Sequence, residues 1–176
     1  MTNEEINNLA AEIHVLNKKW WPKNVKDRSV SEILILIASE ITECMEGERK
    51  DIMDDKLPHR KMAEVEMADT AIRALDVMGA YKLEYTTGDA TDNWCEFLLA
   101  TSTKTDDLFT MIVVVANSDS FNHEKVFISN VLWLVIEYCK KWGYDLWPAV
   151  REKLEYNKTR YDHSDEGRAA AGGKKW

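Results

Sequence analysis

The chain has 176 residues, 45% of them hydrophobic, and a formal net charge of −8 at pH 7. That length suits one domain, and the apolar share is enough for a packed core. The acidic balance excludes a protein that coats nucleic acid through a basic surface, but not one that takes a nucleotide together with its divalent cation.

Thr2, with Glu5 three residues on, forms a capping box. Ile6, Leu9, Ile13 and Leu16 recur at helical spacing and predict a first helix to about Lys19. Trp20-Trp21-Pro22 ends it, because a residue before proline avoids the helical region. After the basic KNVKDR loop, Ser29 or Ser31 caps a second helix that runs to about Asp54, with Ile33, Leu36, Ile37, Ile41 and Cys44 facing inward. Pro58 opens the next element. A third helix is predicted over about 59–78, with Met62, Val65, Ala68, Ile72 and Leu75 buried and Gly79 as its C-cap. Residues 82–93 read as a loop, and 94–101 and 106–117 as short helices, although the β-branched MIVVVA run disfavours helix. Helices over about 122–142, ending at Gly143, and 145–160 complete an all-α bundle, one domain over 1–160. Residues 161–176 form a basic tail with His163, Arg168, Lys174 and Lys175, which either closes over an anionic ligand or only solubilises the end.

Cys44, Cys95 and Cys139 are odd in number and widely spaced, so they read as buried thiols in a reducing compartment. There is no Cys-x-x-Cys, and His14, His59, His123 and His163 never fall at a zinc spacing. The N-terminus is acidic and amphipathic, unlike a signal or transit peptide, and the apolar runs are too short to span a membrane. The expectation is a cytoplasmic protein with neither membrane nor nucleic acid as partner.

Two pairs of acids carry the chemical interest. Glu40 and Glu43 lie on the second predicted helix, and Glu66 and Asp69 on the third. A spacing of three puts both members of a pair on one helical face, where like charges repel. All four border the apolar stripe rather than oppose it. One reading is a solvated face with Lys50, Lys56, Arg60 and Lys61 as counterions. The other packs the helices antiparallel, so that the acids converge and a cation is needed; hard oxygen donors then select Mg²⁺ or Mn²⁺. A di-iron carboxylate site requires Glu-x-x-His, which this sequence lacks.

Lys153, Asn157 and Arg160, at spacings of four and three, share a face whose chemistry suits phosphate oxygens, or else form the polar outside of a terminal helix. Trp20 and Trp21 pack into the core or offer a ring on which a base stacks. Arg73, four residues after Asp69, is placed to brace it, or to form a surface ion pair of little worth.

The order Glu-x-x-Glu then Glu-x-x-Asp on the next helix resembles the MazG-like family of all-α nucleoside triphosphate pyrophosphohydrolases. KKWWPK is similar to that family's Lys-Gly-Trp/Phe-Trp segment, with Lys19 where glycine is usual. ASEITECMEGER and EVEMADTAIRALDVMG are similar to its two acid-bearing motifs, and KLEYNKTRY, His163 and GGKK to the C-terminal end of phage-encoded members. The similarity spans most of the chain and is weakest over about 82–121. It implies that Glu40, Glu43, Glu66 and Asp69 bind Mg²⁺, with Mn²⁺ as a substitute. It implies cleavage of a nucleoside triphosphate, with deoxynucleotides as the expected substrates, between the α and β phosphates. It also implies a homodimer or homotetramer whose sites a neighbouring subunit completes, in the host cytoplasm if phage-encoded. On this reading Glu43 accepts the proton of the attacking water, and Arg73 orients Asp69. Lys153, Asn157, Arg160 and, from the tail, Lys174 hold phosphates, while Trp20, Trp21 and Asn17 line the base pocket. Ser39 stands where many relatives carry another acid, which puts a fifth carboxylate ligand in doubt, with Glu46 as a substitute. Two other readings stay open: a phosphoribosyl-ATP pyrophosphatase, usually shorter, and a non-catalytic helical interaction module.

Overall fold

The computed structural model describes residues 1–86, 103–117, 124–161 and 167, with 124–127 described as backbone only. The predicted helix over 94–101, Cys95, His123, His163, Arg168, Lys174 and Lys175 lie outside the described residues. The described part is all-α: α1 (Asn3–Asn17), α2 (Val30–Lys50), α3 (Met62–Tyr81), α4 (Lys104–Ala116), α5 (Glu124–Trp142) and α6 (Leu146–Thr159). Short 3₁₀ turns follow α1 at Lys18–Trp20 and precede α2 at Val25–Asp27. Among the described residues no helix is long and apolar enough to cross a membrane.

Side-chain caps open α1, α2 and α4. The Thr2 hydroxyl accepts from the Glu5 amide at 3.2 Å, and the Glu5 carboxylate accepts from the Thr2 amide at 2.7 Å, so the capping box forms. Of the two candidate serines, Ser29 is the cap and Ser31 lies within α2. Thr103 caps α4 through the Asp106 amide, and the β-branched MIVVVA run is helical, its Met111, Val114 and Val115 buried. Packing against α2 and α5 overrides the strand preference of those residues.

Several boundaries differ from expectation. α2 stops at Lys50, because Asp51 turns left-handed at φ 50°, and does not reach Asp54. Asp54 is instead a buried anchor for the connector, its carboxylate accepting from the amides of Lys56 and Leu57 at 2.9 and 2.7 Å. Backbone pairing of Met53 with Lys61 holds that connector in an extended turn, so α3 begins at Met62 rather than near His59. Leu36 is only partly buried, and Leu16, at the open end of α1, is 41% exposed.

α3 is the central helix, packed by α1, α2, α5 and α6. It is apolar on nearly every face, as a helix enclosed by neighbours must be. Two glycines let its neighbours approach closely. A Cβ on Gly47 of α2 would lie 2.7 Å from the Ala63 amide nitrogen. A Cβ on Gly79 would lie 2.3 Å from the Ala10 carbonyl oxygen and 2.6 Å from the His14 Cβ of α1. Gly79 therefore does not cap α3, which continues to Tyr81; Lys82, at φ 54°, ends it. Contacts of Gly47 with Ala63 and of Glu40 with Arg73 run in opposite chain directions, so α2 and α3 are antiparallel.

In the last turn of α2 and on α4, acidic side chains act as fasteners. Glu48 accepts from the hydroxyls of Tyr138 and Tyr144, at 2.8 and 2.6 Å, and from the Lys104 ammonium at 2.6 Å, tying α2 to α4 and α5. Asp107, fully buried, accepts from Lys141 and Trp142. Cys44 and Cys139 are free, buried thiols, and burial pushes both well above the usual thiol range.

Candidate functional site

The antiparallel packing of α2 and α3, with α6 and the end of α1 alongside, encloses a cavity of about 710 Å³. Glu40, Glu43, Glu66 and Asp69 all line it, as expected from their spacing. Carboxylate oxygens of Glu40, Glu43 and Glu66 lie within 4.8 Å of one another. Glu40 and Glu66 are 7% and 3% exposed, which rules out a solvated charged face for them, while Glu43 is exposed. The connector cations do not neutralise this group. Lys50 pairs with Glu46, Lys61 with Asp51, and Arg60 with Glu64 and Glu152, and Lys56, which does line the cavity, pairs with Asp55.

The counterions come from two other places. The Arg73 Nε donates to Glu40 Oε1 at 2.6 Å, so Arg73 braces Glu40 across the helix pair and not Asp69 on its own helix. Asp69 turns towards α6, where the Lys153 ammonium lies 2.7 Å from its Oδ2. Lys153, expected to hold phosphate, is 1% exposed and paired within the protein. Glu46 takes no part; it is paired with Arg49 and Lys50 and does not line the cavity.

Glu66 is the electrostatic focus. Its carboxylate has no hydrogen bond or ion pair among the described residues. Burial foremost, then the charge of Asp69, pushes its pKa up to about 8; Lys153 opposes the shift, and Glu40 and Glu43 add to it. Burial also raises Asp69, against the opposing charge and hydrogen bond of Lys153. A carboxyl raised in the fold binds its proton more tightly there than in the unfolded chain. The Glu66 contribution to stability is thus complete below its ordinary pKa of 4.5 and is lost as pH rises towards 8. The metal-free protein is expected to melt at a lower temperature at pH 8 than at pH 6. Addition of Mg²⁺ should offset the loss more at pH 8 than at pH 6. Differential scanning calorimetry at the two pH values, with and without Mg²⁺, checks both; a metal-free melting temperature that climbs over this range contradicts the assignment.

The second half of the cavity is built from α1 and the turn after it. Trp20 and Asn17 line it, and Lys19 Nζ sits 4.2 Å from the centre of the Trp20 ring. Trp21 does not line it. Its ring is 9% exposed, packs edge-on to His14 and Tyr81, and donates through Nε1 to Asp76 at 3.1 Å. Asp76 also accepts from Asn17 Nδ2 at 3.1 Å and lies 3.0 Å from His14 Nδ1. Burial raises Asp76, and the bonds from Trp21, His14 and Asn17 oppose that rise. Asp76 is a site residue to which the sequence reading gave no role. The available signal was its position seven residues after Asp69, on the same face of α3 two turns on.

On α6, Lys153, Asn157 and Arg160 all face the cavity, as their spacing requires, with Arg160 following the last helical residue. The donor set therefore offers clustered carboxylate oxygens, two of the three residues buried, with no thiolate or imidazole among them. That chemistry fits Mg²⁺ or Mn²⁺ rather than zinc. Comparison with protein-family models, curated proteins and solved structures finds no match to this chain, so the reading of the site rests on its geometry and on the motifs in its sequence.

Proposed function

We propose that the chain is a Mg²⁺-dependent nucleoside triphosphate pyrophosphohydrolase with a MazG-like bundle, producing a nucleoside monophosphate and pyrophosphate. One observation carries the reading: a single cavity sets a buried carboxylate, Glu66, which has no partner among the described residues, beside Glu40 and Glu43, and faces them with Lys153, Asn157 and Arg160. Acids alone would repel a polyphosphate, and cations alone would not need buried acids; together they suit a polyphosphate that arrives with its metal. Glu40, Glu43 and Glu66, with Asp69, would hold Mg²⁺, or Mn²⁺ in its place. The ion supplies charge neutralisation of the triphosphate and a more acidic water.

The residues of the chain do the rest. Glu43, the most exposed of the clustered acids, is the group from which a proton can pass to bulk water, so it takes the proton of the attacking water. The water oxygen bonds to the α-phosphorus, and the α–β bridging oxygen leaves with pyrophosphate. Asn157 and Arg160 offer an amide donor and a guanidinium fork to the phosphates. Trp20, Ile72 and Leu154 provide apolar walls for the base, with Asn17 held in one orientation by Asp76. Phe109 and Val113, one turn apart on α4 and 67% and 40% exposed, are apolar surface that a homodimer or homotetramer would cover. The setting that fits is control of the cytoplasmic nucleotide pool, on deoxynucleotides first.

Incubation with each dNTP and NTP under Mg²⁺ is expected to release pyrophosphate, not orthophosphate, from at least one, and EDTA to abolish it. No release from any nucleotide under Mg²⁺ or Mn²⁺ sinks the reading and leaves a helical interaction module. Release only from phosphoribosyl-ATP assigns the narrower activity.

A further inference from the structure

The four acids are not equivalent in their counterions. Glu40 has Arg73 and Asp69 has Lys153, while Glu43 and Glu66 have no ion-pair partner among the described residues. Asp69 is also the one acid of the four left out of the cluster whose oxygens lie within 4.8 Å of one another. The lysine that holds it is itself unusual. Lys153 is 1% exposed, on α6 between the buried Val150 and Leu154, and its ammonium is 2.7 Å from Asp69.

An ammonium buried this deeply needs an anionic partner at every moment, because leaving it alone is strongly unfavourable. Asp69 supplies that partner here. A phosphate oxygen is the other anion that can, and Lys153 already lines the cavity. Exchange of one anion for the other keeps the ammonium paired throughout, whereas simple departure does not. As long as the ammonium stays on Asp69, a cation approaching that carboxylate meets a positive charge. Glu66 also feels the Lys153 charge, but it is 3% exposed, lines the cavity and has no hydrogen bond or ion pair of its own among the described residues that a cation would have to displace.

We propose that Lys153 is a tethered counterion that makes the second cation conditional on phosphate. Without phosphate the site takes one divalent ion on Glu40, Glu43 and Glu66. Asp69 is released to a second ion only when a phosphate draws the ammonium away. Lys153 is on this account a positioning residue as well as a phosphate ligand. The inference rests on the metal reading proposed above.

The test is a Mn²⁺ titration of the full chain at pH 8 without nucleotide, with free ion followed by electron paramagnetic resonance. The wild type is expected to bind one ion per chain, and Lys153→Met to bind two. Circular dichroism checks that each variant is folded. If Lys153→Met is not, Lys153→Gln, which keeps a donor for Asp69 without the charge, must give the two-ion result instead. Two ions on the wild type, or one on the folded Lys153 variant, overturns the proposal while leaving the metal site intact. No ion on the wild type overturns the metal reading itself, and this proposal with it.

Discussion

Glu66→Gln is expected to lower pyrophosphate release by about 10³-fold while removing the pH dependence that Glu66 gives to the stability of the metal-free fold. The loss of turnover follows from the buried position of Glu66 at the centre of the acid cluster. On the metal reading proposed above, several kcal/mol of charge stabilisation would depend on Glu66 as a ligand, and about 4 kcal/mol corresponds to about 10³ in rate. The stability effect has the opposite sign. Glutamine resembles the protonated acid and never ionises. Between pH 4.5 and about 8 the wild type loses stability because its unfolded chain releases the Glu66 proton and its folded chain retains it. Each pH unit in that window removes up to about 1.4 kcal/mol, and for a chain of this size about 1 kcal/mol is about 2–4 °C. The gap in melting temperature between variant and wild type should therefore widen from pH 5 to pH 8 in the presence of EDTA. Parallel melting curves would show that Glu66 is not a buried acid of raised pKa. Near-normal turnover would show that the reaction does not use it.

Gly79→Ala should be among the most damaging single substitutions in the described fold, although it adds one methyl group. The new Cβ would meet the Ala10 carbonyl oxygen at 2.3 Å and the Ala10 carbonyl carbon at 3.0 Å. These are backbone atoms, so no rotamer change relieves the contact, and α1 must move away from α3. That movement also pulls on His14 and Asn17, one and two turns further along α1, and so on the bonds that hold Asp76. A cost of about 3 kcal/mol is expected, at the upper end for overpacking. It should appear as a fall in melting temperature of roughly 6–12 °C. If the site survives, the Michaelis constant should rise more than turnover falls, because the acid cluster on α2 and α3 is untouched. A melting temperature within a degree of wild type would mean that α1 and α3 do not approach as closely as described.

These two cases mark what could be read along the chain and what could not. Thr2 with Glu5, Ser29 before α2, and the periodic Ile33, Ile37, Ile41 and Cys44 act through neighbours a few residues away, so the sequence alone announces them. The convergence of Glu40, Glu43, Glu66 and Asp69 was legible for a related reason. Spacings of three place each pair on a face, and a short connector between two helices favours antiparallel packing. Gly79 was misread because glycine near a helix end usually serves as a cap; that α1 passes directly over it is a fact about another part of the chain. The same distinction holds for the four acids. By itself the sequence determined which carboxylates share a face, since helix periodicity is local. Only the tertiary structure decided their partners: Arg73 for Glu40, Lys153 for Asp69, none among the described residues for Glu66, and Asp76 as the anchor of Trp21. Ion pairs between helices depend on crossing and register, which the packing of all the side chains sets together.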